Sequence, residues 1–94
     1  MSKSIIQKNK ECYFCGAIDN LDRHHCIGGT ANRRLSEQDG LWVYLCKNHH
    51  TMSSQSVHQD ENMNLVLKKI AQKEWEKKFG TREEFIKRYG KSYL

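Results

Sequence analysis

Residues 41–50 read LWVYLCKNHH, and the fold follows from how this stretch is divided. Leu41 to Leu45 is a compact apolar and aromatic run bounded by Gly40 and Cys46, so it reads as a β-strand buried on at least one face. The run leads straight into Cys46-Lys47-Asn48-His49, a turn that aims a sulfur and an imidazole at one point, and His50 follows at once. Two earlier stretches share this chemistry: Cys12-Tyr13-Phe14-Cys15, closed by Gly16, and Arg23-His24-His25-Cys26. All five histidines and all four cysteines fall between Cys12 and His58. The order Cys-x-x-Cys, His-His, Cys-x-x-His-His points to two sites rather than one.

The first set is Cys12, Cys15, Cys46 and His49, three thiolates and an imidazole, a donor set suited to a tetrahedral structural zinc. Two knuckles far apart in sequence would pin the N-terminal turn to the end of the 41–45 strand. Cys26 is the alternative fourth ligand; following a histidine pair on a short strand over 21–27, it reads instead as a buried thiol. Disulfides are disfavoured by the paired x-x spacing and by the reducing cytoplasm expected for a chain whose N-terminus, MSKSIIQKNK, lacks a secretory signal.

The second set is His24, His25, His50 and His58. Neighbouring residues on a strand point to opposite faces, so His24 and His25 do not easily serve one ion and divide into a ligand and a base. His50 is then the second ligand and His58 the third. His58 lies eight residues after His50, which requires the chain to loop back. Such a set suits a hydrolytic centre, in which a cation offsets charge on a phosphate and a base deprotonates water.

Composition is consistent with this. Ninety-four residues make at most one domain with a modest core, for which a structural metal is a natural staple. Only 37% of residues are hydrophobic, and no run approaches the roughly 20 apolar residues needed to cross a bilayer. Net charge is +5, from 16 Lys and Arg against 11 Asp and Glu, which suits a polyanionic partner. Residues 1–10 read as a loose basic arm whose order, if any, comes through Ile5 and Ile6, and Gly28 to Asn32 as loop. Met63, Leu67, Ile70, Ala71, Trp75 and Phe79 fall at three- and four-residue steps, the apolar face of a helix over about 62–79. Thr81-Arg82-Glu83-Glu84 is a capping box that starts a shorter helix ending at Gly90.

Taken together, CYFC, RHHC, LWVYLCKNHH and the later His58 resemble the HNH, or ββα-metal, endonuclease superfamily. The likeness is strongest to short phage- and prophage-encoded members and to RecA-dependent recombination nucleases. It covers roughly residues 11–58, and the GLWVYLC-x-x-HH block carries most of it. The resemblance implies that His24 is a metal ligand, that His25 is the general base, and that His50 and His58 complete the catalytic metal shell. It implies a structural zinc on Cys12, Cys15 and Cys46, with His49 where a cysteine is more usual. The implied catalytic ion is magnesium, manganese or zinc; the implied partners are DNA and a RecA-like recombinase filament. The sequence departs from the family in two places. Asp39-Gly40-Leu41 stands where the middle Asn normally precedes the second strand, with Asn32 lying too early for that role, and the 50–58 loop is long.

The expected fold is therefore α+β, a zinc-bound ββα-metal core at 11–58 with a helical C-terminal extension at 60–94, in one domain over 1–94. The expected activity is divalent-metal-dependent hydrolysis of DNA phosphodiester bonds in phage recombination or DNA processing. Arg23, Arg33 and Arg34 flank the site and suit phosphate contacts, whereas the tail lysines read as a solvated helix face. Two rivals of other classes are a non-catalytic zinc-stabilised DNA-binding or recombination-accessory module, and a protein-interaction module using the exposed helix.

Overall fold

The computed structural model of the chain describes residues 3–52 and 60–94. Its elements, in chain order, are β1 (Leu21–His25), α1 (Thr30–Asp39), β2 (Trp42–Cys46), a single π-helical turn (Asn48–Met52), α2 (Glu61–Lys78) and α3 (Arg82–Tyr89). The architecture is α+β. Among the described residues the sheet has two antiparallel strands, β1 and β2, with His24 opposite Val43 and His25 opposite Trp42.

The alternation of β2 explains its burial. Val43 and Leu45 point into the core at 0% exposure, while Trp42 and Tyr44 stack edge to face on the other side with ring centroids 5.2 Å apart. Against the inner face pack Leu67, Ala71 and Trp75 of α2 and Phe85 and Tyr89 of α3, together with Ile27, Leu41 and the buried Cys12 and Cys26. Of the helix face expected from the apolar spacing, Leu67, Ala71 and Trp75 are buried and Met63 and Ile70 half-buried, with one exception and one addition. Phe79 is 48% exposed, because α2 ends at Lys78 and Phe79 lies beyond it as the C-cap. Gln72 is fully buried; its amide bonds Glu76 and Ser92, and its oxygen accepts from Tyr93 N–H, which ties down the C-terminus.

α1 is the element that the sequence hides. The glycine pair predicts loop over 28–32, yet the helix begins at Thr30 after Gly29, which takes φ 95 and offers no side-chain cap. No acidic residue sits in its first turn. Tertiary bonds hold it instead: Ser36 Oγ donates to the Ile27 carbonyl at 2.9 Å and Asn32 to the Tyr89 carbonyl at 3.0 Å. At its far end Asp39 accepts from Trp75 Nε1 (2.9 Å), Arg88 Nε (2.6 Å) and the Tyr89 hydroxyl (2.7 Å), so one carboxylate clamps both C-terminal helices. Burial, and then Asp39, push the Tyr89 phenol above its ordinary range. α3 starts with the expected capping box, Thr81 accepting from Glu84 N–H and Glu84 accepting from Thr81 N–H, and stops at a left-handed Gly90.

The N-terminal segment is not a loose arm but is ordered, in part through the two isoleucines that the sequence singled out. Ile5 and Ile6 pack against the core. Ser4 Oγ donates to the Trp42 carbonyl at 2.6 Å, Gln7 accepts from Tyr44 N–H at 2.8 Å, and Ile5 N–H bonds the Gly40 carbonyl at 2.9 Å. With Tyr13 N–H on the Tyr44 carbonyl, these bonds cover the edge of β2 that β1 leaves open. No helix among the described residues is long and apolar enough to cross a membrane.

Candidate functional site

Two sites are built on the ends of the sheet. At the first, β2 delivers Cys46 and the turn after it delivers His49, while the knuckle 12–15 is held by Cys12 N–H on the Ala17 carbonyl and by Gly16 at φ 77. The ligand atoms of Cys12, Cys15, Cys46 and His49 all lie within 4.8 Å of one another. In a tetrahedral zinc shell with Zn–S of about 2.3 Å and Zn–N of about 2.0–2.1 Å, neighbouring sulfurs sit about 3.8 Å apart and sulfur–nitrogen pairs about 3.6 Å. Here Cys15 Sγ and Cys46 Sγ are 3.7 Å apart, and His49 Nδ1 lies 3.6 Å from Cys12 Sγ and 3.2 Å from Cys46 Sγ. Donor chemistry and spacing both fit zinc.

The thiols carry the electrostatic mark of such a cluster. Burial raises the Cys12 thiol, but backbone hydrogen bonds at Cys46, Cys15 and Phe14 outweigh it and bring its pKa to about 6. A backbone bond at Ala17 favours the Cys15 thiolate, yet Cys12 and Cys46 beside it raise it overall. A cation is what allows neighbouring thiols to ionise together. Cys26, the alternative ligand, stands apart: it is fully buried in the core, and burial pushes its thiol up to about 12.

The second site is a cleft of about 480 Å³ whose walls include His24, His25 and His50. β1 supplies the first two. His24, 8% exposed, meets His50 edge to face with ring centroids 5.5 Å apart, and His50 Nδ1 lies 3.0 Å from Asp22 Oδ2. The Lys47 ammonium, at 2.6 Å, and then His50 hold the Asp22 carboxyl below its ordinary value. His25 is directed elsewhere, its Nε2 lying 3.1 Å from Glu37 Oε1 on α1. Arg23 Nη1 donates to both oxygens of Glu37, at 2.9 and 3.0 Å, with its guanidinium 3.9 Å above the Trp42 ring. Burial raises Glu37, but the bonds from His25 and Arg23 outweigh this and leave its carboxyl below the usual range. The two histidines of the pair thus have different partners, as strand alternation requires, while bordering one cavity.

Of the residues expected at this site, the structure brings together His24, His25, His50, Arg23 and Arg33. Arg34 is exposed and does not line the cleft, because it lies about 100° around α1 from Arg33. His58 lies outside the described residues. Among the described residues, only the Cys3His set gathers three or more such ligand atoms within 4.8 Å. Four contributors were missed. Asp22 had a signal, since it lies two residues before His24 and so shares its strand face. Glu37 had none without knowing that α1 is a helix. Asn64 and Lys68, one turn apart on α2, line the cleft, whereas the sequence predicts a solvated face for the tail lysines.

A scan against protein-family models and searches for similar curated proteins and similar solved structures found no match.

Proposed function

We propose that the chain is a divalent-metal-dependent DNA endonuclease of the HNH, or ββα-metal, kind, built on a Cys3His zinc staple. The observation that carries this reading is the cleft in which His24 and His50 stand ring to ring while His25 is held separately by a carboxylate. A divalent ion on His24 and His50, with His58 as a third ligand, would offset the charge building on the scissile phosphate and the leaving oxygen. Asp22 bonds His50 Nδ1, so Nε2 is the nitrogen that would ligate; a carboxylate behind a ligating imidazole is the usual arrangement. Glu37, accepting from His25 Nε2, fixes the tautomer in which Nδ1 takes a proton from water. Arg23 and Arg33 supply positive charge for the phosphates on either side. RecA-like filaments and a phage setting belong to the same proposal through the resemblance of the motifs.

One fact favours a second reading, a zinc-stabilised DNA-binding module without activity: the only ligand set gathered among the described residues is the Cys3His cluster. Incubating the zinc-loaded protein with supercoiled plasmid and magnesium or manganese separates the two. A nuclease nicks the plasmid when the divalent ion is present and stops when it is omitted, with zinc retained throughout. Binding without nicking in any divalent ion, on plasmid or on recombinase-coated single strands, would leave the second reading in its place.

A further inference from the structure

A second cavity, of about 540 Å³, opens on the outer face of the sheet, between the docked N-terminal segment and the side chains of Trp42 and Tyr44. Arg23 lines this cavity and the histidine cleft alike. Its guanidinium is held at their junction, stacked 3.9 Å above Trp42 and bonded to Glu37. The rest of the groove is cationic: Lys3, Lys8 and Lys10 line it, and Lys10 Nζ lies 5.8 Å above the Tyr44 ring. On the far side of Arg23 the cleft adds Arg33 and Lys68. Among the described residues, none of the chain's 11 Asp and Glu lines either cavity. Six cations line two cavities that share Arg23, whose charge Glu37 offsets, and no carboxylate is among the lining side chains; this matches a chain of phosphates rather than a single anion.

We propose that this groove is a phosphate-backbone channel, holding the DNA strand on one side of the bond that the histidine cleft attacks. The inference rests on the nuclease reading for the direction of the strand, while its claim of backbone binding stands on the groove alone. The segment that carries the lysines is anchored by Ser4, Ile5, Ile6 and Gln7, not by the lysines themselves, and all three lysines are exposed. Their heads are therefore presented on a fixed backbone, which lowers the entropy lost on gripping phosphates.

The test is fluorescence anisotropy with a short labelled DNA duplex, in chelator-free buffer without magnesium or manganese, as a function of salt. Three forms are compared: wild type, Lys3→Gln/Lys8→Gln/Lys10→Gln, and Lys73→Gln/Lys77→Gln/Lys78→Gln on the exposed face of α2. The two variants lose the same charge, so long-range attraction falls equally in both. Each phosphate contact contributes about 0.9 to the slope of log affinity against log salt. Expected for the groove variant is a slope smaller by about 2 to 3, with a loss of at least tenfold in affinity at moderate salt, and for the α2 variant a slope close to wild type. Equal effects in the two variants, or no DNA binding by wild type, would overturn the channel. Cleavage is read separately: a protein that binds through the groove and nicks nothing sinks the nuclease and leaves the channel, whereas nicking with equal slopes does the reverse.

Discussion

His25 and His24 show what a single residue step does on a strand. The first turns to Glu37 and the second to His50, so the different partners of the His-His pair are a consequence of β-pleating. That much was legible, because alternation is a property of the backbone alone. The carboxylates behind the imidazoles were less so: Asp22 shares a strand face with His24, but Glu37 arrives from a helix that the sequence does not announce. Their titration gives a prediction. Asp22 and Glu37 both have folded-state values below their ordinary 3.8 and 4.5, so their contribution to stability is present above that range and is lost as pH falls through the lowered values. Thermal melts between about pH 5 and pH 3 should show stability falling as pH falls, more gently in Glu37→Gln than in wild type; parallel curves would count against the Glu37 pairing. Gly40 is a second residue-scale case. It caps α1 at φ 76, and a Cβ there would strike the Lys3 carbonyl oxygen. Left-handed strain alone costs about 1–2 kcal/mol, so Gly40→Ala should lower the urea midpoint by more than that strain implies; an unchanged midpoint would show that the N-terminal segment is not seated on this turn.

Among the elements, α2 and α3 were readable because their apolar period and capping box are local signals. The Thr81 cap is therefore a clean test: Thr81→Ala should cost about 1 kcal/mol in chemical denaturation, with metal content unchanged. A loss well under half that would mean that the Glu84 side chain caps the helix unaided. α1 was unreadable for the opposite reason. Its stability comes from Ser36, Asn32 and Asp39 reaching distant partners, and no window of neighbouring residues contains those partners. For the N-terminal segment Ile5 and Ile6 were a local signal, but the bonds that seat it were hidden in the same way, since they reach β2, 35 or more positions away. The knuckles sit between these extremes: the pairing within each is local, and bringing the two together needs the strand between them.

For the whole molecule, the Cys3His cluster joins the N-terminal knuckle to the end of β2, where a zinc ion would be a natural staple for a core of this size. Elemental analysis should find one zinc per chain, and its removal by a strong chelator should abolish or markedly lower the cooperative melt. A metal-free protein with an unchanged melt would reduce the cluster to four neighbouring side chains. A metal-ligating cluster was plain in the spacing of the cysteines; the cleft was outlined by the histidines, while its carboxylates and its α2 wall come only with the tertiary structure. The most direct measurement is the nicking rate on supercoiled plasmid with manganese for wild type, His25→Ala and Glu37→Gln, each with zinc content and melting temperature recorded. Loss of a general base should lower the rate by roughly 10²–10⁴-fold in His25→Ala, with a smaller loss in Glu37→Gln and the zinc retained in both. Equal nicking by wild type and His25→Ala would contradict the assignment of His25, and with it the hydrolytic role of the cleft.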